Sequence, residues 1–183
     1  AFSKAALVQT QITGEEVRFA VFDGNVQAAI LRQSPQVAGD GKSTVEELIE
    51  QENLARERLE LPYVSYPLLT PPLIEVSAKQ LASIPPKGEV IKLGPGSMIR
   101  DGASIYNITD TIHPSYSAIA AKLAAQLGKG FVVVDMLIDD YKAPQTESNY
   151  AFLEFNMSPV LKLFYSCRDG NQYDILSDLV PML

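Results

Sequence analysis

Sulfur, imidazole and indole are scarce in this sequence. Among 183 residues there is one cysteine, Cys167, one histidine, His113, and no tryptophan. A single cysteine excludes an internal disulfide framework and suits a reducing compartment, so a cytoplasmic location is expected. With no Cys/His cluster there is no ordinary zinc set. No run of about 18 apolar residues occurs, which excludes a transmembrane helix of the usual kind. Basic charge is also short, with 15 Lys and Arg against 22 Asp and Glu and a formal net charge of -7. Proteins that neutralise a nucleic-acid backbone or an anionic membrane are normally basic, so neither partner is expected. A G-x-S-x-G elbow, a G-x-G-x-x-G loop and a Walker A motif are all missing. Gly39-Asp40-Gly41-Lys42-Ser43 looks like the end of a P-loop but lacks the earlier glycine. The opening residues, Ala1 to Ala5, have no initiator Met and no signal-peptide pattern. They read as a chain that begins inside a larger protein.

What is present has the length of one domain, which usually runs to about 100–200 residues. Hydrophobic residues make up 46% and charged residues 20%, a globular balance that argues against disorder. Residues 5–12 read as a strand. Period-2 alternation from Glu16 to Phe22, then Asp23-Gly24 and a second apolar run to Gln33, predicts a hairpin over about 16–33. Thr44 with Glu47 makes a capping box, opening a helix in which Glu50, Arg56, Glu57 and Arg58 are expected to face solvent. Seven of the twelve prolines lie between Pro62 and Pro95. That density predicts an excursion over 62–98 with only short elements, among them Ser77–Ala82, a strand at Glu89–Leu93 and an extended piece at Met98–Arg100. A helix is expected over Pro114–Leu127 with Gly128 as its cap. Strands follow at Phe131–Ile138 and Tyr150–Asn156, and a short helix within 174–183.

The last two strands carry the informative feature. Each is strongly apolar, yet one holds Asp135 and the other Glu154. A buried carboxylate must be paired, protonated or bound to a cation. Glu154 and Asn156, two apart, share a strand face, and Asp135 joins them if the strands pair. Two carboxylates and an amide oxygen make a hard-oxygen set that suits Mg2+ beside phosphates. The alternative is that Asp135 and Glu154 pair with Arg18, Arg32 or Arg100 within the core. Spacing leaves both open. His113 reads as a helix-entry residue beside Pro114. Cys167, beside Arg168, reads as a bland thiol rather than an activated one.

Several blocks in order resemble the ATP-grasp ligases. The likeness is closest to the glutathione synthetase module of bifunctional glutamate–cysteine ligase/glutathione synthetases, with cyanophycin synthetase second. Val8 to Phe19 is similar to the family's hinge strand, turn and following strand. Arg32 to Pro35 with Val37 to Leu48 is similar to its most specific block. Ile108-Thr109-Asp110 with His113-Pro114, then Asp135, then Glu154-Phe155-Asn156-Met157-Ser158-Pro159, match its later motifs.

The resemblance implies an α+β fold, the C-terminal portion of an ATP-grasp domain with an antiparallel sheet flanked by helices and the upstream half of the fold absent. It implies ATP and Mg2+ (or Mn2+) as cofactors. Asp135, Glu154 and Asn156 would hold the metal, Gln9, Thr10 and Ile12 the adenine, and Glu16 the ribose. Arg18, Arg32 and Arg100 would face phosphates or an acyl-phosphate. The implied activity is carboxylate–amine ligation on small-molecule substrates, an amino acid or short peptide, by a longer parent. This fragment alone is expected to bind ATP weakly without turnover. Ile99 to Asn107 keeps Arg100 but lacks the family's asparagines and paired glycines there. A degenerate non-catalytic module and a cyanophycin-type peptide ligase are the rival readings, and self-association into a homo-oligomer is left open.

Overall fold

The computed structural model describes residues 12–128 and 130–180. The sheet starts from a two-residue turn. Asp23 (φ 44°) and Gly24 (φ 77°) both take left-handed backbone, the type I′ geometry whose twist matches the strands it joins. It connects β1 (Glu15–Phe22) to β2 (Asn25–Gln33). Two later apolar runs, β6 (Phe131–Ile138) and β7 (Tyr150–Asn156), stand where their patterns place them. β5 (Ser104–Asn107) completes a five-stranded sheet in the order β5-β2-β1-β6-β7. Every neighbouring pair is antiparallel. Two β-bulges interrupt it. One leaves Gln27 as an extra residue in β2, and the other leaves Leu153 extra in β7 between Phe152, opposite Met136, and Glu154, opposite Asp135.

One sheet face packs on α3 (Pro114–Ala125). Tyr116, Ala120 and Ala124 meet Val17, Phe19, Val21, Val132, Val134 and Met136 in the largest core cluster. The His113 ring accepts a bond from the Ser115 amide and so caps this helix, in keeping with its reading as an entry residue. The helix ends at Ala125, two residues early, and turns out through Gly128 (φ 58°). The other face buries Ala20, Ala28, Ile30, Ile105 and Val133 under Phe164, Cys167 and Ile175. Phe164 comes from a 3-10 turn at Leu161–Tyr165, Cys167 from the loop after it, and Ile175 from α4 (Ile175–Leu179).

A third cluster lies beside the sheet. The α1 helix (Val45–Glu57) forms with the expected reciprocal Thr44–Glu47 cap. Its Val45, Leu48 and Ile49 pack with Val37, Leu69 and Leu93. Val37 belongs to β3 (Gln36–Ala38), which pairs with β4 (Val90–Lys92) as a separate two-stranded ribbon. Gly39 is required there, since any side chain would run into the Pro86 carbonyl oxygen. The proline-rich excursion therefore folds back on α1 and includes the one-turn α2 (Ala78–Leu81), capped by Ser77.

Two expectations fail locally. Met98–Arg100 is not extended; Ile99–Asp101 is a 3-10 turn, closed by Gly102 (φ 91°), whose amide donates to the Ile99 carbonyl. Strand β5 was not foreseen, because its four residues carry too little pattern. The strand expected at 5–12 lies outside the described residues except for Ile12, which is exposed and in no strand.

Candidate functional site

The cavity-facing side of the sheet has a polar half, and register explains its composition. Arg18 lies opposite Asp135 on β6, and Asp135 lies opposite Glu154 on β7. Directly opposed residues of antiparallel strands share a face, so the three form one cross-strand row. Asn156, two residues beyond Glu154, joins that face, as do Arg32 and Glu16, which are opposite one another on β2 and β1.

The ion pairs are specific. Arg18 grips Asp135 with two parallel bonds, Nε to Oδ1 at 2.7 Å and Nη2 to Oδ2 at 2.8 Å. Both are buried, with Arg18 6% and Asp135 1% exposed. Burial by itself would lower the Arg18 guanidinium. The hydrogen bond and charge of Asp135, with the charges of Glu16 and Glu154, outweigh it and leave Arg18 above its ordinary value. Arg32 pairs with Glu16. Of the two open readings for the carboxylates, the arginine pairing is thus realised for Asp135 but not for Glu154. Among the described residues, neither the Glu154 carboxylate nor the Asn156 amide makes a hydrogen bond or ion pair.

This donor set can be tested against a divalent cation. Glu154 is exposed, and its oxygens are unspent. The Asn156 amide lines a cavity. Asp135 uses one lone pair on each oxygen for Arg18, and a carboxylate has about four acceptor sites, so capacity remains. The three residues fit Mg2+ as an incomplete set of the kind that leaves positions for phosphate and water. No cluster of three or more His, Cys, Asp or Glu side chains placed to hold a metal occurs among the described residues. The set here has only two such members and an amide.

The cavity holds about 740 Å³. Its floor is Arg18, Arg32, Ile105 and Asn156, and its walls come from the excursion at 64–67, the turn at 98–100 and the segment 160–163. Arg100 stands at the rim with its side chain 77% exposed, 3.7 Å from Asp101. Arg18, Arg32, Arg100 and Asn156 are thereby brought to one cavity. Ile12 is not part of its lining, and Gln9 and Thr10 lie outside the described residues.

A second constellation was missed. Arg56, expected to face solvent, is 3% exposed. It bonds Glu52 (2.7 Å), the Pro67 and Gly102 carbonyls (3.0 and 2.8 Å) and the Ser104 hydroxyl (3.2 Å). Arg168 also grips Glu52 and Ser104, and both guanidiniums lie over the Tyr66 ring. The Tyr66 hydroxyl donates to the Ser166 carbonyl at 2.6 Å and accepts from the Ile105 amide at 3.0 Å. Burial, the largest cause, lowers Arg56 despite Glu52 and raises the Tyr66 hydroxyl. The available signal was the i, i+4 spacing of Glu52 and Arg56. Cys167 is fully buried, and desolvation pushes its thiol up to about 12, so it is not an activated nucleophile.

This sheet, with helices on it and an oxygen-and-guanidinium row along its polar half, is α+β and has the ATP-grasp fold. A bifunctional glutathione synthetase from Pasteurella multocida superposes with a TM-score of 0.70 over 94% of this chain, at 24% identity and over 24% of that protein. The chain is also similar in sequence to a bifunctional glutathione biosynthesis protein of Streptococcus mutans, 32% identical over 173 residues and 91% of this chain. A cyanophycin synthetase from Nostoc is 28% identical over 191 residues and 99% of this chain. The chain spans 23% of the Streptococcus protein and 21% of the Nostoc one, about a quarter or less of their lengths. No family model matches. Among the described residues no helix is long and apolar enough to cross a membrane.

Proposed function

We propose that this chain is the metal- and phosphate-binding part of an ATP-dependent carboxylate–amine ligase of the glutathione synthetase kind. The observation that carries it is the Arg18–Asp135–Glu154 row with Asn156: Arg18 and Asn156 line the cavity, and Glu154, in the same row as Arg18, has unspent oxygens. Glu154, Asn156 and the remaining lone pairs of Asp135 would hold Mg2+. When bound, the metal offsets charge on the phosphates.

A substrate carboxylate oxygen attacks the γ-phosphorus of ATP, the bond to the β–γ bridging oxygen breaks, and ADP leaves. An amine nitrogen then attacks the acyl carbon, the carbon–oxygen bond to phosphate breaks, and phosphate and a proton depart. Arg18 and Arg32 on the floor, and Arg100 at the rim, bind phosphate oxygens through planar N–H forks. Arg18 is pre-aimed, because Asp135 fixes its guanidinium before any ligand arrives. Catalysis of this sort is mostly positioning and charge neutralisation. Gln9, Thr10 and Ile12 would hold the adenine, and Glu16 the ribose while paired with Arg32. The active unit would be a longer protein in a soluble compartment, acting on an amino acid or short peptide.

The test is calorimetric titration of the chain with a nonhydrolysable ATP analogue, with and without Mg2+. Weak, Mg2+-dependent binding is expected, reduced about tenfold or more by Glu154→Gln with Asn156→Ala, a loss of about 1.4 kcal/mol. Binding indifferent to Mg2+ and to both substitutions would sink the proposal. Steady amine-dependent phosphate release by this chain alone would refute the expectation that it does not turn over.

A further inference from the structure

The floor of the cavity accounts for phosphates, but its walls do not. The apolar side chains of Tyr66, Met98, Ile99, Ile105, Val160 and Leu163 line it, and among the described residues its charged members are Arg18, Arg32, Arg100 and Lys162. In a chain of net charge -7, a cavity whose lining holds no carboxylate among the described residues favours an anion. Two of the four cations are already engaged, Arg18 by Asp135 and Arg32 by Glu16. Arg100 meets only Asp101 at 3.7 Å, and Lys162 makes no ion pair among the described residues. The apolar walls are not sealed core. Met98 is 40% and Val160 52% exposed, so apolar surface is held open at the mouth. The boundary between the charged and apolar parts is a cross-strand pair, Arg32 opposite Ile105.

We infer that this cavity seats an acyl substrate whose reacting carboxylate is flanked by a bulky aliphatic or aromatic side chain. The carboxylate lies by Arg18 and Arg32. The side chain runs over Ile105 between Ile99 and Leu163, and Arg100 and Lys162 collect a further anionic group at the rim. A volume of about 740 Å³ takes such a residue or short peptide; a glycine-sized substrate would leave the walls wet. The substrate role rests on the ligase reading above.

Isotope-labelled chain, titrated by NMR with three probes, tests this. N-acetyl-leucine carries both features, N-acetylglycine lacks the side chain, and N-acetyl-leucinamide lacks the carboxylate. N-acetyl-leucine should bind at least tenfold more tightly than either and shift the amides of Ile99, Ile105 and Leu163. Val160→Asp and Met98→Glu, at exposed positions where folding is spared, should each remove that preference. Arg100→Ala with Lys162→Ala should weaken N-acetyl-glutamyl-leucine, which carries a second carboxylate, more than N-acetyl-leucine itself. The same samples are then titrated with the Mg2+-bound ATP analogue. Nucleotide bound but no preference for leucine overturns the apolar seat and leaves the ligase reading standing. Preference for leucine without nucleotide binding overturns the ligase reading and with it the substrate role. A preference that survives both wall substitutions also overturns the seat.

Discussion

The molecule buries guanidinium groups in two places, and the two differ in what their partners have left over. At Arg56 and Arg168 the donors are spent on Glu52, Ser104 and main-chain carbonyls, and Tyr66 covers them. That cluster ties α1, the excursion, β5 and the C-terminal segment together. At Arg18 the partner Asp135 is only partly spent, while Glu154 in the same row and Asn156 on the same face keep their oxygens for something else. A buried ion pair is therefore no mark of a binding site by itself. The mark is unspent bonding capacity that faces open space.

The contrast predicts a hierarchy. Cys167 sits beside Arg168, whose donors are committed, so the thiol gains no activation from it. With its thiol raised from 9.0 to about 12, alkylation near pH 8 should be about a thousandfold slower in the folded chain than in urea. The folded state holds the proton more tightly, so stability is full below about pH 9 and falls as pH rises toward about 12. Rapid labelling of the folded chain would contradict this. Next in size is Glu52→Ala, which strands two buried cations and should cost about 3–5 kcal/mol in urea denaturation. Asp135→Asn should cost about 3 kcal/mol, the lower end of that range, since the amide oxygen still accepts from Arg18 and Glu154 lies near. Equal and small losses at both carboxylates would erase the distinction between the two sites. Thr44→Ala removes one helix cap and should cost about 1 kcal/mol, or roughly 2–4 °C in Tm. Glu154→Gln should leave stability within about 0.5 kcal/mol while weakening nucleotide binding, because that exposed carboxylate makes no hydrogen bond or ion pair among the described residues and reaches Arg18 only through its charge.

Much of this was legible in the sequence where signals are local. Asp23-Gly24 gave the turn, Thr44 and Glu47 the cap, and two β-branched runs gave the strands bearing Asp135 and Glu154. The convergence of Asp135 with Glu154 needed only that those strands pair. What stayed hidden was long-range. Nothing in the spelling of Arg56 reveals that Pro67, Gly102 and Ser104 close over it, so helix periodicity placed it outside. The turn at Ile99–Asp101 depends on the left-handed Gly102 and read as extended chain. Spacing alone did not settle whether Asp135 pairs with an arginine, because Arg18 and Asp135 are 117 residues apart.

The extra residue in β7 has a consequence for parity. Phe152 and Glu154 are two apart, which in a regular strand would put both on the helix-covered side. Because Leu153 is surplus, Phe152 stays with Phe155 on that side, their rings 4.7 Å apart, while Glu154 swings round to Asp135. Excising Leu153 would preserve every partner assignment and merely straighten the strand. The deletion thus separates adjacency of the two carboxylates from their precise aim, a distinction that no substitution at either acid can make.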